Sequence, residues 1–218
     1  MFNMAAVLGP AIYRRTFTIS SDVEDWNLIT DGFGGSAPAQ KSIITINVGS
    51  GINVSATSTG APALDLTGLP ADSQIVLNNL GNIYGAGGDG GNGASLVVVD
   101  EVPFNCQTQN SPTPGAGLGG GDAIEYDGTG VDLDIYNASG RIFGGGGGGG
   151  GGNAQKVSSP CSAAGGGGGG GGAGGSSSNG ASGAGGSGGS ATIDGIPTGG
   201  AGSNGSIGAT GPTGGASS

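Results

Sequence analysis

An uninterrupted run of glycine constrains this chain more than any other sequence feature. It extends from Gly144 to Gly152, and a second run covers residues 165–172. Flexible linkers usually combine glycine with serine, so a run without serine is not typical of a linker. Glycine fills 57 of the 218 positions, yet 34% of the residues are hydrophobic and only 9% are charged. Disordered chains are poor in hydrophobic residues and rich in charge, so we expect the glycine runs to pack in an ordered protein.

Glycine also recurs at every third position outside the uninterrupted runs. In residues 85–93 the intervening positions Ala86, Asp89 and Asn92 keep this period. Three residues per turn is the period of polyproline II, a helix without internal hydrogen bonds, so each amide must bond to a neighbouring segment. At a rise of about 3.1 Å per residue the central run would span about 28 Å. The pattern predicts polyglycine II helices, with candidates at 85–93, 115–121, 144–152, 165–175, 180–189 and 199–214.

A repeat precedes two of the glycine segments. Residues 78–85 and 137–144 share the pattern N-x-x-G-x-I-aromatic-G at an offset of 59, and residues 63–68 resemble residues 123–128. Short runs of β-branched residues bounded by glycine and proline predict strands between residues 41 and 84. We therefore expect stacked β-rungs from which parallel glycine segments begin.

The predicted fold class is mostly β and irregular, with short stacked β-rungs leading into a bundle of polyglycine II helices. We expect an attachment segment at 1–37, a β-rich base at 38–84, and a glycine-rich region at 85–218. The last region contains the loops at the tip of the bundle and a second β-rung at 122–143.

The attachment segment is the only part with ordinary composition. Ser20 or Ser21 could cap a short helix over residues 22–29, because acidic residues occupy its first turn. The apolar residues 1–13 are interpreted either as a peg that docks into a larger assembly or as a self-packed terminus.

The charge balance and the missing residue types exclude several function classes. The net charge is −10 with five Lys and Arg, which disfavours nucleic-acid binding through phosphate neutralisation. Histidine is absent, which removes the usual general base and the commonest metal ligand. We expect no enzyme activity, no cofactor and no metal site. An acidic cluster could bind calcium or act as a glycosidase pair, but a solvated face is favoured: Asp122, Glu125, Asp127, Asp132 and Asp134.

The apolar N-terminus precedes Arg14 and Arg15, whereas a signal peptide carries its positive charge first. No stretch approaches 18 uninterrupted apolar residues, so we expect no membrane insertion. The chain is therefore predicted to be synthesised without a signal peptide.

Consecutive glycine segments that run antiparallel would place three loops at one end of the bundle, at 94–114, 153–164 and 190–198. Cys106 and Cys161 would then lie at the same end, where they could form a disulfide or remain two unpaired buried residues. The predicted contact residues of these loops are Phe104, Asn105, Gln107, Gln109, Asn110, Lys156, Val157, Ile193, Asp194 and Ile196.

Residues 57–65, the repeated N-x-x-G-x-I-[YF]-G step and the glycine runs resemble the glycine-rich domains of tailed-bacteriophage tail proteins, in particular tail-fibre tip adhesins. The resemblance covers roughly residues 41–175. It implies a virion protein made in the host cytoplasm, attached to other tail or fibre subunits through its N-terminal segment, in several copies per particle. It also implies a polyglycine II sandwich whose tip loops bind a host outer-membrane protein or surface glycan.

Two other functions remain open from the sequence. A structural tail or fibre protein would use the glycine helices as spacers without contacting a receptor. An ice-binding protein can be built from similar glycine helices, but it needs a flat face of Ala and Thr. The outward positions expected here are mixed, because they include Asp89, Asn92 and Ser203.

Overall fold

The computed structural model describes residues 12–100, 106–110, 113–128, 130–158, 161–164, 166–169, 171, 184–189 and 191–192. Regular structure in these residues is almost entirely β-strand. The strands are β1 (Tyr13–Ile19), β2 (Val23–Glu24), β3 (Trp26–Asn27), β4 (Ser42–Val48), β5 (Asn53–Ser55), β6 (Leu64–Asp65), β7 (Ser73–Asn79), β8 (Asn82–Tyr84), β9 (Leu96–Asp100), β10 (Cys106–Asn110), β11 (Ile124–Glu125), β12 (Val131–Tyr136), β13 (Arg141–Phe143), β14 (Gln155–Ser158), β15 (Cys161–Ala164) and β16 (Ala191–Thr192).

Three parallel sheets form the base of the molecule, with the orders β1-β4-β7-β12, β2-β5-β8-β13 and β3-β6-β11. The chain visits the sheets in turn, so each pass forms a rung that stacks on the rung before it. Ile44 lies opposite Ile75, and Ile75 lies opposite Leu133 in the next rung. This arrangement is that of a short parallel β-solenoid.

The hydrophobic core lies inside these rungs. In β4 and β7 every second residue is buried, including Ile44, Ile46, Ile75 and Leu77, which are 0% exposed. Alternation of this kind places one set of side chains on the inner face of a strand, and β-branched residues suit the pleated surface. Each such side chain contributes roughly 1.5–3 kcal/mol to folding through its removal from water.

The predicted stacking of the repeat is confirmed. Ile142 lies directly opposite Ile83, and Phe143 lies opposite Tyr84. The two aromatic rings are stacked with their centroids 6.0 Å apart and an interplanar angle of 7°. The two copies of the repeat are therefore neighbouring rungs in register.

Asn79, Asn137 and the two repeated glycines hold the turns of these rungs together. Asn79 is fully buried, and its Nδ2 donates to Asn137 Oδ1 at 3.0 Å. Its Oδ1 accepts from Gly81 N at 3.1 Å. A Cβ on Gly140 would lie 2.6 Å from Gly81 O, so the two turns stack too closely for any larger residue.

The predicted helix over residues 22–29 is wrong. Residues 23–27 of this range form β2 and β3, and the only helical element among the described residues is a single π-helical turn that follows β3, Leu28–Gly32. The acidic side chains expected in a first helical turn bond instead to the next rung. Asp22 Oδ1 accepts from Asn53 N at 2.8 Å, and Asp25 Oδ1 accepts from Thr57 N at 2.9 Å. Rung stacking therefore overrides the local preference for a helix.

The predicted bundle of polyglycine II helices is also wrong as the fold class. Within the described part of the chain the regular structure is mostly parallel β-sheet, with antiparallel pairs at β9–β10 and β14–β15, and no helix is assigned to the glycine segments. The prediction gave the glycine period more weight than the alternating β-branched residues. Glycine has no side chain to bury, so the core forms where those residues alternate. None of the described helical structure is long and apolar enough to span a membrane.

Candidate functional site

The glycine segments connect the base to a second group of strands. Gly85 follows β8 directly, and residues 85–94 lead to β9. Gly144 follows β13, and residues 144–152 lead to β14. These two segments run side by side in the same direction. The backbone nitrogen of Gly88 donates to Gly146 O at 2.9 Å. Three residues further on, Gly91 N donates to Gly149 O at 2.8 Å.

Residues 115–121 run in the opposite direction alongside both of these segments. Leu118 N donates to Asp89 O at 2.8 Å, and Gly148 N donates to Leu118 O at 2.8 Å. The returning segment thus bonds to both outgoing segments. Residues 166–169 and 184–189 add further bonds at the same three-residue spacing. We call the five segments 85–94, 115–121, 144–152, 166–169 and 184–189 the glycine region.

The backbones of neighbouring segments in the glycine region lie too close together to leave room for side chains between them. A Cβ on Gly145 would collide with Ala86 O, and a Cβ on Gly148 would collide with Asp89 O. Because the obstructing atoms belong to the backbone, no rotation of a side chain relieves the collision. Glycine at these positions therefore keeps the segments close enough to exchange hydrogen bonds.

Asp89 and Asn92 were expected to face outward; both are exposed, and their side chains also bond to a neighbouring segment. Asp89 Oδ1 accepts from Ala184 N at 2.7 Å, and Asn92 Oδ1 accepts from Ser187 N at 2.9 Å. The two side chains bind the backbone of residues 184–189 to residues 85–94. Their three-residue spacing is the sequence signal that matches this role, since it equals the spacing of the backbone bonds.

The strands at the far end of the glycine region form two groups. β10, β9 and β16 make a three-stranded sheet, and β14 pairs with β15 as a hairpin. β15 also contacts β9 and β16, so the two groups lie against each other. The structure therefore brings together strands from three separate parts of the chain, at the end opposite the rungs. We call this group the distal strands.

The distal strands carry half of the predicted contact residues. Gln107, Gln109 and Asn110 lie in β10, and Lys156 and Val157 lie in β14. The other predicted residues lie outside the described part of the chain: Phe104, Asn105, Ile193, Asp194 and Ile196. The structure brings the backbone of the five residues in β10 and β14 to one end of the molecule. Their contact with a partner remains a prediction.

The two cysteines lie in different distal strands. Cys106 begins β10 and is opposite Asp100 of β9, and Cys161 begins β15 and is opposite Ser158. Since β15 contacts β9, both cysteine-bearing strands adjoin the same strand. The disulfide remains a prediction.

The acidic residues considered for calcium binding lie in the base rather than among the distal strands. Asp127 Oδ2 accepts from Gly68 N at 2.6 Å, and Asp134 Oδ2 accepts from Gln74 Nε2 at 2.8 Å. These bonds connect neighbouring rungs. Among the described residues there is no group of three or more side chains that could hold a metal ion.

Comparison with known proteins gives one match. The model of a family described as "Phage tail fibre adhesin Gp38" matches residues 14–218. The match therefore includes both the base and the glycine region. No curated protein and no solved structure matches the chain.

Proposed function

Because the chain belongs to the phage tail fibre adhesin Gp38 family, we propose that its distal strands and their loops bind a receptor on the host surface. The receptor is a host outer-membrane protein or a surface glycan. The N-terminal segment attaches the adhesin to other subunits of the tail or fibre.

The observation that supports this proposal is the separation of the two ends. The N-terminal strands β1, β2 and β3 belong to the first rung of the base. The distal strands lie beyond the glycine region, and the two ends are joined by several parallel and antiparallel connections. An adhesin needs one end for the particle and another for the cell, and this arrangement keeps them apart.

The glycine region supports the proposal through rigidity. Loops bind with less entropic cost when a scaffold holds them in position before contact. Hydrogen bonds at three-residue intervals order five chain segments against one another. Several copies on one particle would raise the avidity of individually weak loops.

Receptor binding is tested with the purified full-length chain and host cells. We expect the wild-type chain to bind the cells and to block adsorption of the phage that encodes it. Replacing residues 155–163 with a Gly-Ser segment of equal length should abolish both effects. Leu80→Ser is the control, because Leu80 is 46% exposed in a turn of the base.

Two outcomes would contradict the proposal. A wild-type chain that neither binds cells nor blocks adsorption would indicate a structural tail protein without receptor contact. Three variants would be compared, with residues 106–110, residues 155–163 or both replaced. If all three bind cells and block phage adsorption like the wild type, the distal strands do not recognise the host.

A further inference from the structure

The outer face of the sheet β1-β4-β7-β12 carries a straight row of side chains that crosses all four strands. Thr18, Asn47, Asn78 and Tyr136 lie opposite one another on successive strands. The residues on either side of them in β4 and β7 are buried, so the row faces away from the core. Thr18 and Tyr136 are exposed, and the two asparagines are half-buried. We call these four residues the amide row.

The two amides of the row hold each other in place. Asn78 Nδ2 donates to Asn47 Oδ1 at 2.8 Å. A side-chain amide has two N–H donors and an oxygen with two lone pairs, so this bond uses only part of the capacity of either side chain. Because the bond also fixes the orientation of both amides, a ligand that binds them loses less side-chain entropy.

An aromatic ring stands at the end of the row. Tyr136 is 61% exposed, which is more than any other large hydrophobic side chain among the described residues. An exposed tyrosine presents an apolar ring with a polar tip. The face of a pyranose ring carries C–H groups that pack on an aromatic ring, and its hydroxyls donate to and accept from amides. The row therefore offers both kinds of contact that bind a sugar.

The spacing of the row suits an extended chain of sugars. Neighbouring strands of a sheet lie about 4.8 Å apart, which is close to the length of one residue in an extended β-1,4-linked pyranose chain. A chain of this kind that crosses the strands would therefore meet one side chain of the row with each successive sugar.

Charge and polarity discriminate among the candidate occupants. Beside the row, the outer face of the sheet carries Arg14, Asp132 and Asp134, so negative charge exceeds positive charge there. On a chain with a net charge of −10, this face repels an anionic polymer. The centre of a protein interface is apolar and rich in aromatic residues, whereas the centre of this row consists of two amides. A neutral sugar chain fits the face better than either alternative.

We propose that the amide row binds a neutral, extended glycan chain of the host surface across β1, β4, β7 and β12. This site lies in the base, so it is separate from the distal strands and goes beyond the receptor binding proposed for them. A contact with four side chains is weak by itself. It gains avidity when the distal strands of the same chain are bound as well.

The test titrates the isotope-labelled full-length chain with cellohexaose, an extended chain of β-1,4-linked glucose, and follows the NMR shifts of the backbone amides. We expect saturable shifts at the four residues of the amide row. Maltohexaose is the matched control, because it contains the same number of the same sugar but its α-1,4 linkages curve the chain. It should cause no saturable shift at the row.

Variants of the row test the two kinds of contact. Tyr136→Ala should raise the Kd for cellohexaose about fivefold through loss of the ring, whereas Tyr136→Phe should bind nearly as tightly as the wild type. Asn47→Ala should raise the Kd about threefold through loss of a hydrogen bond. Tyr126→Ala is the control, because Tyr126 is an exposed aromatic residue outside the row. Unchanged thermal melting of each variant shows that it is folded.

Four results would overturn the inference. Cellohexaose could leave the row unshifted. Maltohexaose could shift the row equally, which would show that the strand spacing is not recognised. Tyr126→Ala could weaken binding as much as Tyr136→Ala, which would place the sugar elsewhere. Self-association of the purified chain that Tyr136→Ala abolishes would identify a second copy as the occupant. The titration uses no host cells, so its failure is distinct from a failure of the distal strands to bind a receptor.

Discussion

The base and the glycine region are ordered by different physical means. In the base, side chains such as Ile44 and Leu77 leave water completely and the sheets follow from their alternation. In the glycine region the absence of side chains lets backbones approach and exchange hydrogen bonds. The base should therefore tolerate conservative changes of side chain, whereas the glycine region should tolerate none at its contact positions.

The strongest test of this difference is a pair of substitutions at neighbouring positions in the glycine segment 144–152. Gly148→Val places a side chain against Asp89 O, which belongs to the backbone. We expect the segments to separate and host-cell binding to be lost. Gly147→Ala is the matched control, because its Cβ would lie 3.5 Å from Leu118 O, an ordinary contact distance.

Cell binding by the two variants is measured alongside the melting of the base. Equal loss of binding for Gly148→Val and Gly147→Ala would show that the close approach of the segments is unimportant. A base that melts as in the wild type shows that the damage is confined to the glycine region.

A core substitution gives the next largest effect. Ile75→Ala removes a side chain that is 0% exposed between two rungs. Buried Ile-to-Ala changes cost about 2–5 kcal/mol of unfolding free energy, measured by denaturant titration of the purified chain. Val76→Ala is the control, because Val76 lies on the outer face of the same strand. A similar cost for both variants would contradict the assignment of the inner face.

The sequence predicted the strands between residues 41 and 84 and the stacking of the repeat, because both leave a pattern in the sequence. Alternating β-branched residues and the repeat at an offset of 59 predicted the strands and their stacking. The helix over residues 22–29 was predicted wrongly because Asp22 and Asp25 bond to residues of the next rung. Those partners are about 30 positions away in sequence, so local propensity could not reveal them.

The candidate site was only partly predictable. The period of glycine indicated that neighbouring segments exchange backbone bonds, and the assumption that consecutive segments run antiparallel placed the loops 94–114 and 153–164 at the same end. It did not reveal that Asp89 and Asn92 bind residues 184–189, because side chains at a regular spacing also suit an outward face. The position of β1 at the edge of its sheet, among the described strands, was hidden as well, since strand order depends on long-range pairing.

The buried amide of the repeat provides a smaller effect. Asn79→Ala leaves Gly81 N without its acceptor and removes the bond to Asn137. Loss of a buried polar partner costs about 1–3 kcal/mol, measured as the change in unfolding free energy. Asn137→Ala should cost less, because Asn137 is exposed. An equal or larger loss for Asn137→Ala would contradict this order.

The smallest effect concerns the last described glycine segment. Asp89→Ala removes the acceptor of Ala184 N, and we expect a loss of about 0.5–1.5 kcal/mol that is confined to residues 184–189. Local hydrogen exchange by mass spectrometry measures it. Asp89→Asn keeps an oxygen at the same place and should restore much of the protection. Unchanged exchange in Asp89→Ala would show that this bond does not hold the segment.

Hydrogen exchange in the full-length wild-type chain tests the central claim most directly. If backbone bonds order the glycine region, the amides of Gly88, Gly91 and Leu118 should exchange slowly, at rates comparable to those of β4 and β7. Gly148→Val should accelerate exchange at these amides and leave β4 and β7 protected. Exchange at the rates of an unstructured chain in the wild type would contradict the account, because the distal strands would then have no fixed support.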